Sequence, residues 1–194
     1  MLEAAEAVLR EEGYAMLTSR RIANRIGVKQ QLVFYYFRTM DDLIVSAFRA
    51  LAKRELERLV GALQSEHPLH EIWSVCINTG DARLIAEFMA LAHRNERLRT
   101  EVSEHIERMR CIHVEALAGA AKRNKTKKKD LGPAALSPLA LSFLATSAAL
   151  ALTRESAIGV AMGHAEIQDL IGQSLAALEP DRPAPKPRSR SRRT

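Results

Sequence analysis

The sequence predicts an all-α protein, and three observations carry that expectation. Ala and Leu dominate the 47% hydrophobic fraction while aromatics make up only 5%, a balance that favours helix over sheet. Apolar residues recur at three- and four-residue spacing through most of the chain. Alternating Val/Ile/Thr runs of useful length are missing, so no sheet is expected. The 194 residues suffice for one large or two small domains. The expected architecture has about nine helices: an N-terminal three-helix helix-turn-helix domain followed by a larger C-terminal helical domain.

The first helix spans residues 2 to 12, with Leu2, Ala5, Val8 and Leu9 on one stripe, and Gly13 stops it. Thr18 is a plausible N-cap for a second helix from about Ser19 to Arg25, with Ile22, Ala23 and Ile26 inward. Gly27 sits at a tight turn, and a third helix runs from about Val28 to Tyr36. Thr39 caps a long fourth helix that reaches about Gln64, with Asp41 and Asp42 in its first turn, where carboxylates favour the helix dipole. Further helices are expected near Leu69 to Asn78, from an Asp81 cap after Gly80 to about His93, and from about Glu96 to Arg123. Ser137-Pro138 combines an N-cap with proline at the first helical position. It opens a helix to about Arg154 that is apolar nearly all round. A last helix covers about Ala165 to Leu178. The stretch from Pro180 to Thr194 has four prolines and no large apolar residue, too little to bury a core.

Charge is unevenly placed. The formal net charge is +6, yet residues 180 to 194 carry +5, Lys122 to Asp130 carry +5 and Thr18 to Leu43 carry +3, which leaves the rest at −7. The basic character is therefore local. Lys122 to Asp130 reads as a solvated loop, with a second DNA-binding patch as the alternative. The tail either adds sequence-independent phosphate attraction or does nothing. Cys76 and Cys111 have no short spacing; core thiols are the plain reading, beside a redox pair or lone reactive groups. His67, His70, His105, His113 and His164 show no metal-ligand spacing. Neither a metal nor a cofactor is expected. No Gly-rich phosphate loop, GxSxG or HExxH occurs, so no enzyme is expected. The longest apolar run, Leu139 to Leu152, is too short to span a bilayer, which needs about 20 residues.

The segment Thr18 to Leu43 carries the chemistry. Helices that cross closely need small or apolar residues, here Ile22, Ala23, Ile26, Val28, Val33 and Phe37. Gly27 supplies the turn. The outer face of the third helix offers Lys29, Gln30 and Gln31, with Tyr35 and Tyr36 one turn on. Lys donates to guanine, and Gln pairs with adenine through two hydrogen bonds. Tyr hydroxyls reach phosphates, while Thr18, Ser19 and Arg20 stand at a helix N-terminus that suits a phosphate. Spacing alone leaves three solvated amphipathic helices as an equal alternative.

This segment resembles the N-terminal domain of the tetracycline-repressor-like (TetR) family of bacterial regulators, whose pattern is IA-xx-AGV-xxxx-lYxhF-xxKexL. The matching residues are Ile22-Ala23, Ile26-Gly27-Val28, Val33-Phe34-Tyr35-Tyr36-Phe37 and Asp41-Asp42-Leu43. The likeness covers about the first 50 residues. Phe34 replaces the family's usual Tyr, Met40 its usual Lys, and Gln31 a small Gly or Ala.

The resemblance implies a DNA-binding domain at 1–46, a ligand-sensing and dimerisation domain at 47–179, and a disordered basic tail at 180–194. It implies a bacterial cytoplasmic, nucleoid-associated repressor that binds a pseudo-palindromic DNA operator as a homodimer, off the membrane, and is released by a small apolar ligand. The alternative is a regulator controlled by a protein partner, or one without an effector. Trp73, Phe88, Met89, His93, Met109 and Cys111 stand on helices that would line a family-type pocket, although core packing accounts for each one singly. Leu139, Phe143, Leu150, Ile167, Ile171 and Leu175 are the expected dimer contacts, since an apolar surface this large is usually covered.

Overall fold

Eleven residues, Leu2–Glu12, form α1, with Ala4, Ala5, Val8 and Leu9 buried. Gly13 ends it at φ 82°, and its N–H returns to the carbonyls of Val8 and Leu9. In the computed structural model, residues 1–77, 81–124 and 136–179 are described. They form nine α-helices and one short 3-10 turn, with no strand among the described residues. Gly80, most of the Lys122–Asp130 segment and residues 180–194 lie outside them.

Thr18 caps α2, Ser19–Arg25, its hydroxyl accepting the Arg21 N–H at 3.1 Å. Gly27 at φ 69° then takes the left-handed conformation that costs an L-residue most. The next helix, α3, covers Gln30–Tyr36, two residues later than the sequence suggests. Val28 is used instead to close the turn, donating to the Ala23 carbonyl, and Lys29 is extended at φ −73°, ψ 141°. A capping box starts α4, Met40–Leu63: Asp42 N–H donates to Thr39 Oγ1 at 3.0 Å, and Thr39 N–H donates to Asp42 Oδ2 at 3.2 Å. At 1.5 Å per residue, α4 is about 36 Å long.

The remaining helices are α5, Pro68–Ile77; α6, Ala82–Ala92; α7, Glu96–Asn124; α8, Pro138–Ala157; and α9, His164–Leu178. Ser137 caps α8 by accepting the Ala140 N–H at 3.2 Å, with Pro138 in the first turn. Gly163, at φ 83°, precedes α9.

Two buried clusters hold these helices. The first joins Leu9 of α1, Ile22 of α2, Val33 of α3 and Leu43 and Leu51 of α4 to Leu84 and Phe88 of α6 and Leu98 and Val102 of α7. It runs past residue 46 without a break. The second joins the far half of α4 (Leu59, Ala62) to α5 (Leu69, Ile72) and the far half of α7 (Ala116, Ala120), with Leu175 and Leu178 of α9 against it. Ion pairs lie along the same seams. Arg54 reaches Glu6 at 2.7 Å, Arg97 reaches Asp42 at 2.6 Å and Arg49 reaches Glu101 at 2.6 Å. The exposed Arg97 and Arg49 pairs contribute about 0–1 kcal/mol each, whereas the Glu6 carboxylate is buried beneath Arg54; apolar burial carries most of the stability. The Arg97 guanidinium, followed by Thr39, holds the Asp42 carboxyl below its usual range.

Candidate nucleic-acid interface and apolar cavity

α3 is fastened by one buried residue, Val33, and stands out from the body. Phe34 is 47% exposed, Tyr35 80% and Tyr36 63%, and the two tyrosine rings meet edge to face at 5.2 Å. Lys29, Gln30 and Gln31 are exposed at its start. Beneath it, α2 is braced to the end of α1: Arg21 Nε donates to Glu12 at 2.9 and 3.1 Å, and Arg25 donates to Glu11 at 2.6 and 2.7 Å. These pairs neutralise two of the segment's cations. Arg20, Lys29 and Arg38 make no ion pair among the described residues, so their charge is available to a polyanion.

Ser19 is placed differently from its expected exposed position. It is buried, and its hydroxyl accepts Gln30 Nε2–H at 2.7 Å. The bond ties the first residue of α3 to the first of α2 and consumes one of Gln30's two amide protons. Thr18 spends its hydroxyl on the cap, whereas Gln31 has no such tether. Leu32 is exposed without having been singled out in the sequence, and Phe34, noted there only for replacing a Tyr, is exposed beside it. Their signal was an apolar residue on either side of Val33, more than one buried contact can use, and such groups suit a thymine methyl.

The helices α5, α7, α8 and α9 line a partly open cavity of about 410 Å³. Leu69, Ile72, Trp73 and Cys76 face it from α5, at the i, i+3, i+4, i+7 spacing of one helical stripe. His113 and Leu117 face it from α7, Leu141, Ser142, Leu144 and Thr146 from α8, and Ile167, Leu170, Ile171 and Ser174 from α9. Burial pushes His113 down to about 4, so the imidazole is neutral at pH 7. Burial, then the Glu55 charge, pushes the Cys76 thiol up to about 11. None of the described lining residues is an Asp, Glu, Lys or Arg.

Of the six residues expected to line a pocket, Trp73 lines this cavity and the other five lie elsewhere. Phe88 is fully buried in the first cluster, its ring 5.4 Å from that of Phe48, and Met89 packs on the same cluster. The inner face of α6 is thus occupied by core. His93 is exposed at the end of α6. Met109 packs against the second cluster. Cys111 is exposed on an open groove with Leu56 and Val60 of α4, because it lies about 200° around α7 from His113 at about 100° per residue.

Leu139 and Phe143 of α8 are 57% and 53% exposed, and Ile167 of α9 is 39% exposed. Leu150, Ile171 and Leu175 are half-buried, the last two on the cavity wall. No residue of α9 is buried. The expected contact residues therefore lie on α8 and α9, which also expose Leu144 and Leu170, with Ile158 and Met162 exposed in the connection between them.

A short, protruding helix after a glycine turn, flanked by the cations Arg20, Lys29 and Arg38, unpaired among the described residues, and set on a helical body, is the arrangement by which a helix-turn-helix enters a DNA groove. Residues 1–47 match the family described as "Bacterial regulatory proteins, tetR family", and this N-terminal domain belongs to that family. A curated relative, the fatty acid metabolism regulator protein of Bacillus subtilis (strain 168), is 25% identical over 111 residues, 54% of this chain. The match spans 57% of that protein's length. Two solved structures share the fold. A transcriptional regulator from Saccharomonospora viridis in complex with choline superposes with a TM-score of 0.75 at 14% identity, covering 91% of this chain and 93% of that one. The regulator FadR from Bacillus subtilis in complex with stearoyl-CoA gives 0.60 at 16% identity, covering 90% and 95%. Among the described residues no helix is long and apolar enough to cross a membrane.

Proposed function

We propose that this regulator is a homodimeric repressor: residues 1–46 bind a pseudo-palindromic operator, and residues 47–179 sense a small, largely apolar ligand that releases it. One observation carries the reading. The walls of the cavity are the same helices, α8 and α9, whose other faces are apolar and exposed. Ile167, Ile171 and Leu175, expected at the dimer contact, line the cavity. A ligand that reseats α9 therefore moves the surface on which a second copy would sit, and with it the separation of the two α3 helices. Successive half-sites present their grooves ~34 Å apart, so a change in that separation favours the unbound state. The ligand acts only through its difference in affinity for the two arrangements.

The cavity's chemistry favours an acyl chain over a quaternary ammonium. Trp73 is the one Phe, Trp or Tyr among the described lining residues, whereas ammonium recognition uses several such faces. A volume of about 410 Å³ lies within the usual range for a small-molecule site. The fatty-acid regulator relative and the stearoyl-CoA complex support the same choice.

The test is to select operator sequences from random DNA, then titrate stearoyl-CoA, shorter acyl-CoAs and choline into the protein–DNA complex by fluorescence polarisation. Acyl compounds are expected to release the DNA and choline is not. If no small molecule changes the DNA affinity while the operator still binds, the sensing half of the proposal fails. A regulator controlled by a protein partner, or by none, then stands in its place.

A further inference from the structure

Within the apolar cavity the polar side chains are unequal. Thr146 on α8 and Ser174 on α9 each donate their hydroxyl proton to a carbonyl of their own helix, at 2.8 Å to Ser142 O and 2.8 Å to Leu170 O. Ser142 makes no such bond. It is 2% exposed, and its Oγ lies 3.2 Å from His113 Nδ1. On the other side of that ring, Cys76 Sγ lies 3.9 Å from His113 Nε2. Three helices thus contribute one residue each to a line of polar atoms along the cavity wall.

The direction of this line follows from its ends. The Cys76 thiol, desolvated and facing the charge of Glu55, keeps its proton across the physiological range. A thiol donates through S–H and accepts only weakly at sulfur, so the tautomer adopted here is the one in which Cys76 donates to Nε2. A neutral imidazole carries one proton, which then resides on Nδ1 and goes to Ser142 Oγ. The Ser142 oxygen is engaged as an acceptor, and its own O–H remains as a donor inside an otherwise apolar space.

We infer that Cys76, His113 and Ser142 form a directed hydrogen-bond chain ending in a Ser142 O–H donor. The cavity thereby selects an uncharged, chain-like molecule carrying an oxygen acceptor, such as a ketone, ester or thioester carbonyl, over a free carboxylate. This rests on the sensing role proposed for the cavity and specifies its ligand class. A buried carboxylate needs a cation or several donors, and the described wall has neither Lys nor Arg. His113 resists becoming the cation because burial disfavours its charged form. A carbonyl asks for one donor, which is what the wall provides.

Trp73, the chain's single tryptophan, lines the cavity and reports occupancy by its own fluorescence. Octane, 2-octanone and octanoate are titrated at pH 7 into the full chain and into Ser142→Ala. For the native chain, octanoate binding at least ten-fold weaker than 2-octanone is expected. Ser142→Ala is expected to weaken 2-octanone roughly five- to ten-fold, the worth of a buried hydrogen bond, and to leave octane within about two-fold. Retained octane binding shows that the variant folds. Long-range ¹⁵N–¹H correlation is expected to place the imidazole proton on Nδ1, since tautomers are read only from such data.

Equal loss of octane and ketone, octanoate as tight as ketone, or a proton on Nε2 each overturns the directed chain while leaving the cavity a sensor. Failure of all three probes to bind removes the sensing reading along with it.

Discussion

Gln30 and Gln31 are chemically identical neighbours with different tasks. Gln30 is held by Ser19 at 2.7 Å, which fixes the angle at which α3 leaves α2. Gln31 is exposed and untethered. Gln31→Ala is therefore expected to cost about 1–3 kcal/mol on the selected operator, the worth of a paired base contact, and much less on random DNA. Gln30→Ala is expected to weaken both, and to show a coupling of about 0.5–1.5 kcal/mol with Ser19→Ala in a double-mutant cycle. Electrophoretic mobility shifts on both DNAs decide it. Equal losses from Gln31→Ala on operator and random DNA would reduce that residue to a phosphate contact. The identity of these residues was legible in the sequence, but their division of labour was not. A glutamine at the start of a helix reads the same whether or not a hydroxyl from another helix reaches it.

For single helices, the caps told most of the story. Thr18, Thr39 and Ser137 accept the backbone N–H groups that their position predicts, and Gly13 and Gly27 take the positive φ that their type allows. Only α3 starts late, because the turn consumes Val28 and Lys29. The cavity was harder to read. A stripe on one helix says that something covers it, not which helix does, so Phe88 on α6 and Trp73 on α5 looked alike. α7 adds to the ambiguity: along its 29 residues one stripe serves the first cluster with its near half and the second with its far half, and another face borders an open groove. α8 and α9 pose the same question with their outer faces, and a second copy is the proposed answer. Phe143→Asp together with Leu139→Asp would put two charges on that face. The pair is expected to convert a dimer to a folded monomer in sedimentation analysis and to abolish operator binding while helicity is kept. A variant that still sediments as a dimer would send the interface elsewhere.

At the scale of the whole molecule, two clusters are strung along the same two helices. α4 and α7 each enter both, so each lies partly in the reading half and partly in the cavity half. His105 of α7, buried, bonds to Glu55 of α4 at 2.9 Å near the middle of this pair. A displacement at the cavity end has rigid elements by which to reach α3. The continuity also bears on how such proteins are cut and recombined. A fragment ending at residue 46 keeps Leu9, Ile22, Val33 and Leu43 but discards Phe48, Leu84, Phe88, Leu91 and Leu98, which cover them. That fragment is expected to melt without a cooperative transition by circular dichroism; a sharp transition near that of the full chain would show that the headpiece is autonomous. If the fragment melts as expected, a chimera that grafts a new reading head onto this body inherits a mismatched seam unless α6 and the first half of α7 travel with it. Exchange of operator specificity between relatives would then proceed by substitution on α3, where Gln30 and Val33 are anchored and the exposed residues are free to vary, in preference to exchange of whole domains.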